Sequence, residues 1–321
     1  MPQNSPGLAL QIRKEASRLG FAAVGFSVPS PQPLAMERYR AMIAGKRHAE
    51  MAWMEERMDE RSDPVRLLPG LKTVISAAIS YNHPAGSPAE SLRISRYALV
   101  ADYHEVLHRK LNELVEAIQV IAGKQIDTLI AVDSAPVLEK SWAERACIGK
   151  TGKNTLLIIP SAGSRVFLGE ILTDLEITEE RTPLPNLCGS CSLCIEHCPT
   201  GALVGPGVLD ARRCISALTV ELKRAFTDEE EKMTGNWIFG CDICQELCPH
   251  NQQALIQASG SFPVNEKLMN LPAETLLGLT RSGFRELFKG TPIYRIGLRR
   301  LKRNVQAALK NLKKSKNQQP R

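Results

Sequence analysis

Apolar residues in the first half of the chain follow two patterns, a helical spacing and short uninterrupted runs. The helical spacing is clearest over 102–124, where intervals of four, three, four and three place apolar residues on one face. These residues are Leu107, Leu111, Leu114, Ile118 and Ile121. Further helices are predicted over 7–19, ending at Gly20, and over 136–146.

The short apolar runs predict buried strands, over 21–27, 73–81, 126–132 and 155–160. Strands that alternate with helices favour an α/β fold. We place this N-terminal α/β domain at 1–178. The linker EERTPLPN, with its two prolines, separates it from a cysteine-rich domain at 179–255.

The remaining segment, 256–321, is predicted to be a helical, basic C-terminal region. Within 296–314, Leu298, Leu301, Val305 and Leu312 share one face and Arg and Lys residues occupy the other, which indicates a basic amphipathic helix.

Positive charge is concentrated in that region. The whole chain carries a formal charge of +7, whereas residues 281–321 hold thirteen Lys or Arg against the single acid Glu286. Such an imbalance suggests a polyanionic partner. The alternative is a solvated helix face that ends in a disordered segment, SKNQQPR.

The overall composition is that of a packed globular protein. A length of 321 residues and a hydrophobic content of 43% allow two domains with a substantial core. The N-terminal stretch has neither a signal-like apolar run nor a twin arginine, and no later segment approaches a membrane-spanning length. We therefore expect a soluble, cytoplasmic protein in a reducing compartment, without a membrane partner.

Cysteines carry the most specific signal in the sequence. Residues 188–199 read CGSCSLCIEHCP and residues 241–249 read CDICQELCP. In two-cluster ferredoxins, three cysteines of such a run bind one [4Fe-4S] cluster and the fourth crosses to the other cluster. The second run lacks its first cysteine, and Cys214 lies unassigned between the two runs.

This spacing predicts two [4Fe-4S] clusters that pass single electrons. One ligand set is Cys188, Cys191, Cys194 and Cys248; the other is Cys198, Cys214, Cys241 and Cys244. Two tetrahedral zinc sites are the alternative, but the CxxCxxCxxxCP run favours iron and sulfur. The ninth cysteine, Cys147, is not needed by either set and is expected to be a small packed residue.

A Gly-Lys loop, CIGKTGKN at 147–154, looks like a phosphate-binding loop but fails that test. The P-loop pattern needs GxxxxGK followed by Ser or Thr between a strand and a helix. Neither register fits, and the predicted helix precedes the loop while a strand follows it. The loop is therefore not expected to bind a nucleotide phosphate.

Asp133 ends the predicted strand in the stretch AVDSAP. A carboxylate at the carboxyl end of a buried strand lies where ligands usually bind, and partial burial would raise its pKa so that it can donate a proton. The alternative is that Asp133 caps the helix predicted to begin near Pro136.

Several stretches, in one order along nearly the whole chain, resemble the cobalamin-dependent epoxyqueuosine reductases of tRNA modification. They are DYHEVLHRKL (102–111), VDSAPVLEKSWAERA (132–146), GKNTLLI (152–158), FLGEILTDLEI (167–177), CGSCSLCIEHCPTGAL (188–203), LDARRCISALTVE (209–221), GCDICQELCPHN (240–251) and FKGTPIYRIG (288–297).

The resemblance implies an α/β cobalamin-binding domain followed by a ferredoxin-like double-cluster domain. It implies reduction of epoxyqueuosine to queuosine at the tRNA wobble position, with electrons passing through both clusters to cobalamin and Asp133 as the proton donor. The partners would be tRNA carrying epoxyqueuosine and an unidentified reductant protein, with the enzyme a monomer. Contacts to the tRNA backbone are expected from Arg295, Arg299, Arg300, Lys302 and Arg303.

The resemblance also implies a set of cobalamin contacts. They are Arg57, Tyr97, Asp133, Asn154, Leu157, Leu168, Ser216 and Asp242. The alternative for Tyr97 and Leu157 is that they are core residues, and the alternative for Arg57 is that it is a solvated charge on a helix. His104 either lines the substrate pocket or bonds a backbone carbonyl.

The chain departs from the family pattern in two places. Cys147 and Lys150 replace a glycine and a tryptophan in AGLGWxGKN, and YALVADYH lacks the glycine of YAxGxDYH. The competing functions are a reductive dehalogenase, which usually carries a twin-arginine signal, and a non-catalytic ferredoxin-type electron carrier. The carrier would leave the N-terminal domain and Asp133 unexplained.

Overall fold

The computed structural model describes residues 5–83, 91–254, 260–269 and 271–318. The predicted domain boundary at 255/256 and the last residues of the SKNQQPR tail, 319–321, lie outside these ranges.

The helices of the first 178 residues are α1 (Ser5–Arg18), α2 (Pro33–Ala44), α3 (Met58–Ser62), α4 (Tyr103–Ala122) and α5 (Glu139–Arg145). The strands there are β1 (Ala23–Ser27), β2 (Thr73–Ser80), β3 (Arg93–Ile94), β4 (Thr128–Ala131), β5 (Lys150–Thr151), β6 (Leu157–Ile158) and β7 (Val166–Thr173). The later helices are α6 (Leu193–Glu196), α7 (Ile215–Val220), α8 (Asp228–Met233), α9 (Ile243–Glu246), α10 (Pro249–Gln252), α11 (Ala273–Gly278), α12 (Arg281–Phe288) and α13 (Gly297–Gln318). The later strands are β8 (Leu203–Gly205), β9 (Val208–Leu209) and β10 (Trp237–Phe239). Short 3-10 turns span Ala52–Met54, Pro64–Arg66, Arg96–Ala98, Glu266–Leu268 and Pro292–Ile296.

A four-stranded sheet in the order β1-β2-β7-β4 forms the centre of the N-terminal region. Its neighbouring strands are all antiparallel. The predicted combination of helices and sheet is confirmed, but the pairing differs from the parallel one that alternating strands and helices usually give. Strand β7, which lies between β2 and β4, was not predicted from the sequence.

Helices cover both faces of this sheet. On one face α4 buries Leu107, Leu111 and Leu114, and it approaches β7 so closely that a Cβ at Gly169 would lie 2.7 Å from Leu111 Cδ1. On the other face α5 ends against β1, where a Cβ at Gly25 would lie 2.2 Å from the Ala146 carbonyl oxygen. Both glycines therefore permit the close approach that holds α4 and α5, and the turns next to them, in place.

Most predicted elements are present with shifted ends. The helices predicted over 7–19, 102–124 and 136–146 correspond to α1, α4 and the shorter α5. The strands predicted over 21–27, 73–81 and 126–132 correspond to β1, β2 and β4. The run at 155–160 contributes only β6, which pairs with β5 in a separate hairpin rather than joining the central sheet.

The three predicted domains remain a prediction, and the packing crosses their boundaries. Strand β10 of the cysteine-rich segment pairs in parallel with β3 of the N-terminal segment, so one small sheet contains a strand from each. The amphipathic helix predicted over 296–314 is confirmed as α13, whose Leu301 and Val305 are fully buried in a cluster that includes Phe239 of β10. The Asn304 amide of α13 donates to the Thr219 and Ile238 carbonyls at 2.8 and 2.9 Å.

Helix α13 extends to Gln318, so the first part of the predicted disordered tail is helical. Within the described ranges, no helix combines the length and the apolar character needed to cross a membrane.

Candidate active site and cysteine centres

Asp133 lies just beyond β4 on an irregular turn. Its backbone is left-handed, with a φ of 53°, a conformation that Asp adopts more readily than most residues. The Asp133 N–H donates to Glu139 Oε1 at 2.6 Å, which fixes the turn. Helix α5 begins only at Glu139, and its N-cap residue, Leu138, provides no side-chain cap. The helix-capping alternative is therefore wrong, and the Asp133 side chain remains 51% exposed.

The His104 side chain forms a hydrogen bond with the Asp133 carboxylate. Among the described residues it does not bond a backbone carbonyl, which was one of the two alternatives expected from the sequence. His104 Nε2 lies 3.0 Å from Asp133 Oδ2, and His104 Nδ1 lies 2.7 Å from Asp102 Oδ1. Both ring nitrogens therefore face a carboxylate oxygen, and the tautomer decides which of them donates. Asp102 is also the N-cap of α4 and accepts the His104 N–H at 3.1 Å, so the start of this helix orients the ring.

These contacts move the pKa values of the two partners apart. Burial alone lowers the pKa of His104, but its hydrogen bonds to Asp102 and Asp133 outweigh burial and raise the pKa above its ordinary value of 6.5. Burial raises the pKa of Asp133, yet hydrogen bonds from His104 and Tyr103 hold it below its ordinary value of 3.8. The raised pKa expected for Asp133 is therefore wrong. At a pH between these two pKa values, the proton is held by His104 and not by the exposed Asp133 carboxylate.

Aromatic rings and a guanidinium confine this pair. The Tyr103 ring stacks on His104, with centroids 4.0 Å apart, and on Phe167 of β7, at 4.5 Å. Burial, followed by the charge of Asp133, raises the pKa of Tyr103, so the phenol keeps its proton. Arg295, on the turn before α13, places Nη1 2.9 Å from His104 Nδ1 and 2.5 Å from Nε2, and its charge opposes the rise in the pKa of His104. The site therefore joins α4, the central sheet and the C-terminal region.

The first group of cysteines lines a cavity of about 190 Å³. Its members are Cys188, Cys191, Cys194 and Cys248. Burial, followed by the other three thiols of this group, raises the pKa of Cys194, so the four thiols lie within electrostatic range of one another.

The second group is built around Cys244. Burial, followed by Cys214, Asp242, Cys194 and Cys198, raises the pKa of Cys244 to about 12. Cys241 in turn is close to Cys244 and Cys214. All of these are free thiols. The two groups are compatible with the two predicted ligand sets, which remain predictions, and Cys194 and Cys244 mark where the groups approach each other.

The second cysteine group lies beside Asp242 and Tyr97. Buried Asp242 accepts hydrogen bonds from the Ser95 hydroxyl and, at 2.7 Å, from the Arg96 N–H, so it fixes the turn that carries Tyr97. Burial, followed in order by Asp242 and several other charges that include Asp133, raises the pKa of Tyr97. Tyr97 therefore lies within electrostatic range of both the cysteine side and Asp133.

The other predicted cobalamin contacts are more scattered. Leu157 and Leu168 pack in one apolar cluster. Asn154 is buried and lines the first cysteine cavity, and the Ser216 N–H faces the Cys214 thiol. Arg57 is exposed and pairs with Glu60 at 3.1 Å, which agrees with the alternative of a solvated helix charge.

The Gly-Lys loop lies against the first cysteine group. It forms the hairpin of β5 and β6, so no helix follows it, in agreement with the exclusion of a phosphate-binding loop. The Lys153 N–H donates to Cys188 Sγ at 3.4 Å, whereas Lys150 pairs with Glu144 at 3.0 Å. The Cys147 thiol faces the carbonyls of Arg145 and Arg181.

His104 and Glu139 are the residues whose placement sequence reasoning missed. His104 was considered only as a pocket residue or a carbonyl-bonded one, and Glu139 was not singled out. The DYH motif does signal His104, since an Asp at a helix N-cap is placed to bond a histidine two residues later.

Comparison with known proteins gives the same assignment along the chain. Residues 61–134 match the family model described as epoxyqueuosine reductase QueG, and residues 187–251 match the 4Fe-4S double cluster binding domain. An epoxyqueuosine reductase of Gloeobacter violaceus is 38% identical over 312 residues, covering 94% of this chain and 95% of that protein.

Solved structures agree with this relationship. An epoxyqueuosine reductase with an epoxyqueuosine-modified tRNA-Tyr stem loop has a TM-score of 0.87 at 30% identity, covering 98% of this chain and 84% of that one. A Bacillus subtilis epoxyqueuosine reductase, whose catalytic aspartate loop is swung out of the active site, has a TM-score of 0.85 at 29% identity over the same shares. From its cysteine motifs, its fold and these relatives, the chain belongs to the epoxyqueuosine reductase family.

Proposed function

We propose that this protein reduces epoxyqueuosine in the wobble position of tRNA to queuosine. The observation that carries the proposal is the exposed Asp133 carboxylate bonded to a doubly hydrogen-bonded His104. The relatives that match nearly the whole chain are epoxyqueuosine reductases, which does not favour a dehalogenase or an electron carrier.

The reaction removes one oxygen atom and needs two electrons and two protons. Both C–O bonds of the epoxide break, a C=C bond forms, and the oxygen leaves as water. His104 passes its proton to the Asp133 carboxylate, which delivers it to the oxygen as charge develops there, and the second proton comes from solvent at the exposed Asp133 side chain. Asp102 stabilises the charged imidazole before the transfer, and Tyr103 holds the ring in plane.

The electrons enter through the two cysteine groups. We assign Cys188, Cys191, Cys194 and Cys248 to one [4Fe-4S] cluster and Cys198, Cys214, Cys241 and Cys244 to the other. Eight free thiols in two adjacent groups suit this ligation. The approach of Cys194 to Cys244 allows single electrons to cross between clusters.

The same residues fit cobalamin between the second cluster and the substrate. Tyr97 lies within electrostatic range of Asp242, on the cysteine side, and of Asp133, on the substrate side. A cofactor that passes electrons from the second cluster to the substrate must lie in this region. Of the predicted contacts, Tyr97, Asp133, Leu168 and Ser216 are partly or largely exposed and would hold it, whereas Asp242 supports the site from within the core. When bound, cobalamin supplies the electron transfer to the epoxide-bearing ring. The proposal also includes a separate reductant protein, a monomeric state and a cytoplasmic location. These three points rest on the sequence alone.

Asp133→Asn tests the proton donor. The amide keeps the size of the side chain but cannot transfer a proton, so we expect queuosine formation to fall about 10²- to 10⁴-fold. The assay uses anaerobically reconstituted enzyme, cobalamin, a chemical reductant and tRNA carrying epoxyqueuosine. Asp127→Asn, at an exposed position before β4, is the matched control and should retain activity. An undiminished Asp133→Asn variant would remove Asp133 from this role.

Asp102→Asn tests the source of the proton. Asn caps helices as well as Asp, so α4 keeps its N-cap, but the bond that raises the pKa of His104 loses its charge. Activity requires the protonated imidazole and falls as pH rises through the pKa of His104. The alkaline limb of kcat against pH should therefore shift to lower pH. An unchanged alkaline limb at normal stability would contradict this proton source.

Cys248→Ser and Cys147→Ser test the cluster ligands. Loss of Cys248 should remove one cluster and about half of the bound iron, because Ser is a poor ligand for these clusters. Cys147→Ser should retain full iron content, since its thiol faces backbone carbonyls away from both groups. Iron and sulfide analysis with electron paramagnetic resonance of the reduced protein distinguishes the two. Equal iron in both variants would refute the assignment of Cys248.

A further inference from the structure

A basic groove of about 760 Å³ runs between α12 and the first turn of α13. Its charged lining includes Lys223, Arg281, Arg285 and Arg299, all of them exposed. Within the described part of the chain, none of these four makes an ion pair with an acidic side chain. Four unpaired cations around one concave surface form a strong site for a polyanion.

Two of the tail arginines assigned to tRNA from the sequence have a different role. Arg300 donates to the carbonyls of Ile296, Val220 and Arg295 at 2.6, 2.8 and 3.0 Å. Arg303 donates to the Leu222 and Leu218 carbonyls at 2.8 and 3.2 Å. They fasten α13 to the end of α7. Arg299, in contrast, is exposed and lines the groove, where it can bind phosphate.

The first turn of α13 adds to the attraction for anions. Gly297, Leu298 and Arg299 line the groove, and the N–H groups of a first helical turn have no intrahelical acceptor.

An aromatic platform distinguishes this groove from a simple polyanion site. Tyr294 is 40% exposed, and its ring stacks on that of Phe284 at 5.6 Å with 18° between the planes. Phe284 is buried, so it holds Tyr294 in a fixed orientation. A rigid, exposed ring beside phosphate-binding cations is the arrangement by which proteins bind unpaired nucleotides.

The groove lies near the active site, since Glu221 is within electrostatic range of both Lys223 in the groove and Asp133. Arg295, which contacts His104, lies between Tyr294 and Ile296, and both of these neighbours line the groove. An RNA strand with one nucleotide inserted at Asp133 would therefore place the adjoining nucleotides here.

We propose that this groove binds the single-stranded part of the tRNA anticodon loop next to the modified nucleotide. Lys223, Arg281, Arg285 and Arg299 bind its phosphates, and Tyr294 stacks on one of its unpaired bases. The inference rests on the proposed function for the choice of RNA.

The test measures binding of an unmodified anticodon stem loop to the reconstituted protein by fluorescence anisotropy over a range of salt concentrations. Because no reaction takes place, its outcome is independent of whether the protein makes queuosine. The Arg281→Gln/Arg285→Gln double variant should bind about tenfold or more weakly, and the slope of log K against log salt should fall by about 0.7 for each lost phosphate contact. The control Lys313→Gln/Lys314→Gln removes the same charge from exposed positions outside the groove and should bind as the wild type does.

Tyr294 is tested separately. Tyr294→Ala should weaken binding about tenfold with little change in salt slope, and Tyr294→Phe should restore it, because stacking needs the ring and not the hydroxyl. Equal affinity of the arginine double variant and its lysine control would contradict the proposal that the groove binds RNA. If Tyr294→Ala binds the stem loop normally and a base-free polyphosphate competes fully, the proposal that Tyr294 stacks on an unpaired base would be contradicted.

Discussion

The hydrogen bonds that hold His104 between Asp102 and Asp133 are the interaction on which the rest of the site depends. They fix the ring, raise the pKa of His104 and lower the pKa of the exposed Asp133 carboxylate. Asp102 connects this chemistry to the fold, since the same side chain caps α4. Helix α4 in turn is fixed by its close contact with Gly169 of β7. A shift of the helix would therefore break the proton path.

The cysteine groups and the active site form a series of residues that lie within electrostatic range of one another. It runs from the cavity lined by Cys188 and Cys248, through Cys194 and Cys244, to Asp242, Tyr97 and Asp133. In the proposed function, electrons arrive from the cysteine side and the proton arrives from His104 of α4, so the two paths are separate. The parallel pairing of β10 with β3 holds the two sides in register.

Local patterns predicted the elements and the cysteine chemistry well. The spacing in α4 identified its buried face, and the CP runs indicated iron and sulfur because close thiols on a tight turn are a local property. Strand β7 was missed because Gly169 and Glu170 interrupt its apolar run, although the sheet needs that glycine against Leu111. The low pKa of Asp133 could not be predicted either, since it depends on His104, which lies far away in sequence but adjacent in the fold.

The most direct test of the shared proton is the charge of His104 itself. Nitrogen-15 resonances of labelled histidines in the oxidised protein, assigned with His104→Gln, report the protonation of each ring nitrogen as a function of pH. We predict a midpoint above 6.5 for His104 and a lower midpoint in Asp133→Asn. A His104 that titrates below 6.5, or that is unaffected by the Asp133 substitution, would contradict the account.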